Sequence, residues 1–220
     1  MHFLITAGAT REYIDPVRFM SNASSGKMGY ALTRAAKKAG HKVTLISASD
    51  LQPPIGVEFV GVDSAAQMFA AVKKFFAKCD CLIMTAAVAD YTPVKKSKIK
   101  IKKSNSGLII RLKPTVDILA WAGKHKHERR ATSNGPRLVV GFALEDKNIK
   151  ARAEKKLKGK NLDMIIANTP AAIGAEKAKV QIKTPQTKWL RLPQTDKAKI
   201  ARKIIALIED IYPTFLPSQK

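Results

Sequence analysis

The sequence predicts an α/β protein, a three-layer sandwich with a mostly parallel sheet and an inserted β-hairpin flap. Three observations predict it. Short apolar runs alternate with stretches of helical periodicity. The runs are apolar on both faces, as strands of a parallel sheet covered on both sides must be. The alternation breaks between about 95 and 113, where lysines at period two take over. The first run, 3–7, is closed by Gly8 and reads as a strand. A loop covers 10–25. Met28, Ala31, Leu32, Ala35 and Ala36 recur at helical spacing and predict a helix over 26–39, with Ser24 or Ser25 as its cap and Gly40 as its stop. Strands at 42–47 and 57–62 follow, then a helix from its cap Ser64 to about 78, then a strand at 81–87. At 98–103 lysine and isoleucine alternate, which gives one cationic and one apolar face. Turn chemistry at 104–107 and a returning strand at 108–112 complete the predicted flap. A helix over 117–126, a loop over 128–137, a strand at 138–143, a basic helix over 147–158 and a strand at 162–167 come next. A second hairpin is expected from 180–184 and 189–192. The closing helix, 196–211, carries Ile200, Ile204, Leu207, Ile208 and Ile211 on one side. These elements make one domain over 1–215 and leave a tail at 216–220.

Composition narrows the function. The 220 residues include 40 Lys or Arg and 17 Asp or Glu, a formal net charge of +23, and 45% are hydrophobic. That apolar content excludes disorder. No apolar run reaches the roughly 20 residues of a membrane helix, and the opening residues do not read as a signal peptide. The charge implies a polyanionic partner: nucleic acid, an anionic membrane surface or phosphorylated metabolites. Aromatic residues are only 6% and none interleaves with the lysine runs, which argues against base-stacking platforms. Cys79 and Cys81 are too close in sequence for an ordinary disulfide and lack neighbours for a zinc site. They are expected as reduced, buried thiols, implying a cytoplasmic protein. His2, His41, His125 and His127 have neither metal nor triad spacing, and no nucleophile elbow is present.

Two stretches are candidate sites, because ligands of open parallel sheets bind beyond the carboxyl ends of the strands. The first is Gly8 to Arg11 with 22–29, small hydrogen-bonding residues leading to a helix N-terminus, where free N–H groups and the dipole attract anions. It is no P-loop, since Ser21 and Met28 stand where glycine and Ser/Thr are needed, and Thr10 breaks the dinucleotide fingerprint. The second is 85–90 followed by Lys95, Lys96, Lys98, Lys100, Lys102 and Lys103. Asp90 suits a sugar hydroxyl or Mg²⁺, and Lys98, Lys100 and Lys102 share one face suited to a triphosphate. A third candidate is the helix carrying Lys150, Arg152, Lys155, Lys156, Lys158 and Lys160, for which solvated helix surface is the default reading.

Together the segments Ile5 to Gly8, Asp15 to Phe19, Ser21-Asn22 with Ser24 to Gly29, Ala86 to Asp90, Lys100 to Lys103, Gly141 to Ala143, Asn161 to Asp163 and Ala167-Asn168 resemble phosphopantothenoylcysteine synthetase, a coenzyme A pathway ligase. The likeness runs from Phe3 to about Tyr212 and implies a Rossmann-like fold. It implies that 4′-phosphopantothenate attacks the α-phosphate of CTP to give an acyl-cytidylate and pyrophosphate, and that the amine of L-cysteine then displaces CMP. ATP in place of CTP stays open, because base choice depends on backbone geometry. By the same resemblance, Asn22 and Lys100 are catalytic, Asn22 as a neutral donor near the developing oxyanion and Lys100 on the flap for nucleotidyl transfer. Gly8, Ser24, Ala86, Asp90, Lys100, Val116, Asp117, Ile118, Leu119, Phe142, Lys156 and Lys160 are implied to bind the nucleotide. Arg18, Asn22 and Ala87 are implied to bind substrate. Mg²⁺ is expected mainly through phosphates with Asp90, FMN is not expected, and the decarboxylase half is expected to be absent. The family is dimeric, with a flap thought to reach towards the partner's site; neither membrane nor nucleic acid is expected as a partner. An NAD(P)-binding oxidoreductase and a basic nucleic-acid-binding protein are the competing readings. Departures from the family pattern are Ala9 for glycine, Val116 for a Pro-Asp pair, Leu144 and Asp146 for smaller neutral residues, and Gly174 to Lys177 for an Asp/Asn-rich loop.

Overall fold

A computed structural model describes residues 1–128 and 137–212. The 129–136 part of the expected loop and the 216–220 tail lie outside the described residues. Eight strands form one sheet. They are β1 (His2–Gly8), β4 (Lys42–Ala48), β5 (Glu58–Gly61), β6 (Cys81–Met84), β9 (Leu138–Leu144), β10 (Met164–Asn168), β11 (Lys177–Lys183) and β12 (Leu190–Asp196), in the order β12-β11-β10-β9-β6-β1-β4-β5. From β10 to β5 every pairing is parallel. β11 and β12 add antiparallel at one edge, as the second hairpin predicts, with an irregularity between Ala178 and Val180.

The apolar runs explain the centre. Phe3, Leu4 and Ile5 of β1 and Leu82 and Ile83 of β6 have no exposed surface, so these strands are buried on both faces. Helices α1 (Lys27–Lys38) and α5 (Lys197–Ile211) contribute to the core on one face, and α2 (Ala65–Phe76), α3 (Ile118–His125) and α4 (Ile149–Gly159) to that on the other. Ile200, Ile204 and Ile208 of α5 are fully buried, matching the predicted stripe. Ser64 caps α2 through the amide of Gln67, whose side chain accepts back from the Ser64 N–H, so both ends of this capping box are met. Cys79 and Cys81 are buried as thiols, not joined in a disulfide. Among the described residues no helix is long and apolar enough to cross a membrane.

Three local expectations are corrected. Neither Ser24 nor Ser25 caps α1; Gly26 occupies the cap position in the left-handed region at φ 78° and no side chain caps the helix. The predicted loop 10–25 contains a short ribbon, β2 (Arg11–Tyr13) paired with β3 (Phe19–Ser21). The inserted hairpin is present, but its ladder joins β7 (Tyr91–Pro93) to β8 (Leu112–Pro114) rather than 98–103 to 108–112. The reason is burial. Ile99 is 77% and Ile109 90% exposed, so the alternating pattern has no core to face, and an isolated two-stranded ribbon of lysines is unstable in water.

Candidate functional site

The carboxyl ends of β6, β9 and β10 open into a cavity of about 500 Å³. Its walls come from six places: 22–29, 84–88 with Asp90, 115–119, Phe142 and Leu144 at the end of β9, the far end of α4, and a corner made by Asn168, Ala172, Ile173, Gly174 and Lys197.

The first wall depends on two glycines. Gly8 ends β1 at φ 81°, where a Cβ would lie 2.5 Å from the Ser49 nitrogen. It turns the chain and does not itself line the cavity; its carbonyl accepts from Ala87 N–H at 2.8 Å. Gly29, in the first turn of α1, has no room for a Cβ, which would meet Ala7 Cβ at 2.5 Å and Thr85 Oγ1 at 2.6 Å. The helix start is therefore pressed against the end of the sheet. With no side-chain cap and no acidic residue in its first turn, α1 presents free N–H groups and the positive end of its dipole. Ala9 is not among the positive-φ residues, so alanine costs nothing there.

The second wall is held by threonines and by Asn22. Thr6 Oγ1 accepts from Ala86 N–H at 3.2 Å, and Thr10 Oγ1 from Ala89 N–H at 2.9 Å. Asn22 Nδ2 donates to the carbonyls of Ala87 and Val88, both at 3.2 Å. Nδ2, the donor expected to serve the oxyanion, is here engaged with backbone, and Oδ1 is the atom left to accept from a ligand. Thr115 N–H donates to the Asp90 carbonyl at 2.9 Å, tying 115–119 to the same loop.

The lysines expected near the base are paired. Lys160 lies 2.7 Å from Asp117, which also caps α3 through Ala120 N–H at 2.9 Å. Burial raises the Asp117 carboxyl, but Lys160 and that hydrogen bond outweigh it and hold it below its ordinary value. Lys156 lies 2.8 Å from Glu145, which Arg152 also approaches at 3.2 Å. Burial raises the Glu145 carboxyl too, and these two cations bring it down. Asp146 points to solvent, with its side chain 64% exposed beside Arg152, so it adds no negative charge to the cavity. The Asn161-Leu162-Asp163 stretch is structural. Asn161 takes a left-handed turn at φ 51° and donates to the Gly123 carbonyl, while Asp163 accepts from Lys126 Nζ and Val139 N–H, both at 2.7 Å. This turn delivers Lys160 to Asp117.

Of the expected site residues, Asn22, Ser24, Ala86, Ala87, Asp90, Val116, Asp117, Ile118, Leu119, Phe142, Lys156 and Lys160 line the one cavity. Gly8, Arg18 and Lys100 do not. The Arg18 guanidinium binds Asp15 at 2.7 Å and donates to the Ile101 carbonyl. Asp15 Oδ2 also accepts from Ile101 N–H at 3.2 Å. The pair thus clasps the root of the flap. Lys100 sits beside that clasp, exposed, outside the cavity of its own chain. Asn168, Thr115 and Lys197 also line the cavity without having been expected there. The sequence offers no signal for Lys197, which reads as an ordinary polar residue at a helix start. Among the described residues no three His, Cys, Asp or Glu cluster as a metal site. Exposed Asp90 on the cavity rim suits a Mg²⁺ ion carried mainly by phosphates, which needs only one or two protein carboxylates.

An open parallel sheet with a polar crevice at its carboxyl edge defines a Rossmann-like α/β protein. The particular family follows from comparison. The model of the DNA/pantothenate metabolism flavoprotein C-terminal domain matches residues 1–212, and the chain belongs to that family. It is 49% identical over 176 residues to the coenzyme A biosynthesis bifunctional protein CoaBC of Bacillus subtilis (strain 168), covering 79% of this chain and 41% of that one. It is 40% identical over 214 residues to a cysteine/cysteine sulfinic acid decarboxylase of an unknown prokaryotic organism, covering 93% and 58%. The crystal structure of the C-terminal domain of a CoaBC protein superposes with a TM-score of 0.80 at 38% identity, covering 97% of this chain and 96% of that one. The chain spans about half the length of the curated relatives it matches.

Proposed function

We propose that the chain is a phosphopantothenate–cysteine ligase of coenzyme A biosynthesis that uses CTP. The observation that carries this reading is convergence: segments far apart in sequence, at 22–29, 84–90, 115–119, Phe142 and Lys156 to Lys160, line one cavity. In the first step a carboxylate oxygen of 4′-phosphopantothenate attacks the α-phosphorus of CTP, and the bond to pyrophosphate breaks. In the second, the cysteine amine attacks the acyl carbon, the bond to the CMP oxygen breaks, and the amine proton passes to solvent. No protein nucleophile is needed. The first turn of α1 and the backbone of 22–26 bind phosphate oxygens. Phe142 and 116–119 pack around the base and ribose, with Lys160 held by Asp117. Asn22 fixes the Ala87–Val88 backbone beneath the acyl group and offers Oδ1 to the incoming amine. Mg²⁺, when bound through the phosphates and Asp90, offsets charge on the leaving pyrophosphate.

The chain is further read as a cytoplasmic homodimer. In support, Ile99, Leu108, Ile109 and Leu112 are exposed apolar residues of the flap, and Lys100 stands outside its own cavity, as a flap serving a partner's cavity would require. The test is direct. Incubation with 4′-phosphopantothenate, cysteine, Mg²⁺ and CTP should release pyrophosphate and form the amide, more slowly with ATP. Absence of nucleotide-dependent product with both nucleotides overturns the reading, and faster turnover with ATP reassigns the base.

A further inference from the structure

The lysines around the cavity have carboxylate partners, with one exception. Lys156 has Glu145 and Lys160 has Asp117. Lys27 has Glu176. Even Lys126, buried elsewhere, has Asp163 at 2.7 Å. Lys197 is only 8% exposed. Its Nζ donates to the Ala172 carbonyl at 3.1 Å, and among the described residues no carboxylate lies within ion-pair distance. The nearby charges do not complete it. Lys27 repels it, and Glu176, which attracts it, is already engaged by Lys27. Burial first, and Lys27 second, push the Lys197 ammonium below the ordinary lysine value.

An ammonium removed from water with one neutral acceptor is costly, and only one of its three donors is used. The same corner of the cavity holds the uncapped start of α1, which has no acidic residue in its first turn. Two cations, a helix N-terminus and a single solvent-facing carboxylate leave this corner positive. We infer that Lys197 anchors a phosphate subsite between the first turn of α1 and Ala172 to Gly174, where a phosphoryl oxygen completes its hydrogen bonds. The inference rests on the ligase reading only for the source of the phosphoryl group, which is either the nucleotide polyphosphate or the phosphate of 4′-phosphopantothenate.

The test uses the full chain, Lys197→Met and Lys197→Arg. Binding of inorganic pyrophosphate, 4′-phosphopantothenate and unphosphorylated pantothenate is measured by calorimetry at fixed ionic strength. Lys197→Met should weaken at least one phosphorylated probe about ten-fold or more, as loss of a charge-assisted hydrogen bond predicts. Pantothenate binding should stay within about two-fold on the same grounds. Lys197→Arg should recover most of the loss. The probe affected identifies the source: pyrophosphate for the nucleotide, 4′-phosphopantothenate for the acid. Thermal stability of Lys197→Met should equal or exceed that of the parent, because an unpaired buried charge has been removed. Unchanged binding of both phosphorylated probes overturns the subsite, as does failure of the parent protein to bind either. A Lys197→Met chain that unfolds assigns the lysine to the scaffold and also overturns it. Failure of the ligase reading is separate, since the parent would then form no amide while binding of a phosphorylated probe stayed sensitive to Lys197.

Discussion

At Asn22 the amide nitrogen faces the backbone of the neighbouring loop, with hydrogen bonds to Ala87 and Val88 carbonyls. Asn22→Asp would set a carboxylate oxygen against those two carbonyls. The loop carrying Ala87 and Val88 then shifts, while the turn at 24–29 is untouched. Pyrophosphate release should persist and amide formation should fall at least about ten-fold, the cost of losing two hydrogen bonds and setting a carboxylate against two carbonyls; amide formation at the parent rate would remove Asn22 from the second step. Gly26 gives a prediction about stability. It holds φ 78°, and a Cβ would lie 2.9 Å from the Ser49 side chain. Gly26→Ala should lower stability by about 1–2 kcal/mol from the left-handed backbone alone, read as a drop in melting temperature.

The flap belongs to the scale of elements. Its root is fixed where Ser97 N–H meets the Ile14 carbonyl at 2.9 Å and Asp15 with Arg18 holds Ile101. Desolvation raises the Asp15 carboxyl, but hydrogen bonds from Val17, Arg18 and Ile101 N–H and from the Arg18 guanidinium outweigh it and hold it at about 2. Asp15→Asn removes the charge and turns one acceptor into a donor. The flap root should loosen, so that trypsin cuts at Lys100, Lys102 and Lys103 several-fold faster while the core stays intact; an unchanged digestion rate would deny the clasp. The sign of the pH effect is fixed as well. The folded value lies below the unfolded value of 3.8, so Asp15 stabilises the fold above that pH and the contribution is lost as pH falls towards 2. Acid titration of stability in the Asn variant should lack that part. Lys100→Gln, on the same flap, should impair pyrophosphate release, and an unaltered first step would take Lys100 out of the reaction.

Across the whole molecule, the buried Lys126–Asp163 pair links the end of α3 to β9 and β10, with Asp163 also accepting from Val139 N–H. Asp163→Ala strands an ammonium in the core and should cost about 3–5 kcal/mol. Melting should drop by roughly ten degrees, at about 2–4 °C per kcal/mol for a domain of this size. A smaller change would show that water reaches Lys126. The net charge of +23 is larger than the cavity requires. Its lysines are mostly neutralised in place, by Glu145, Asp117 and Glu176, and the remaining excess has no structural explanation.

Apolar runs at 3–7, 42–47 and 81–87 were enough to set the sheet, although the last strand stops at Met84, because a strand buried on both faces must be largely apolar. The stripe on α5 and the Ser64 cap of α2 were equally readable, since both are local patterns. Most of the cavity lining was readable too, because ligand-binding loops lie where strands end. Three features were decided by tertiary contact alone. The lysine–isoleucine alternation at 98–103 forms no strand, because no core meets its apolar side. Arg18 turns to the flap, because Asp15 is buried beside it. Lys197 becomes a cavity cation, because the fold brings the start of α5 against Ala172 and leaves it there without a carboxylate. Sequence carries periodicity and residue chemistry, whereas burial and the pairing of charges exist only once distant segments share one surface.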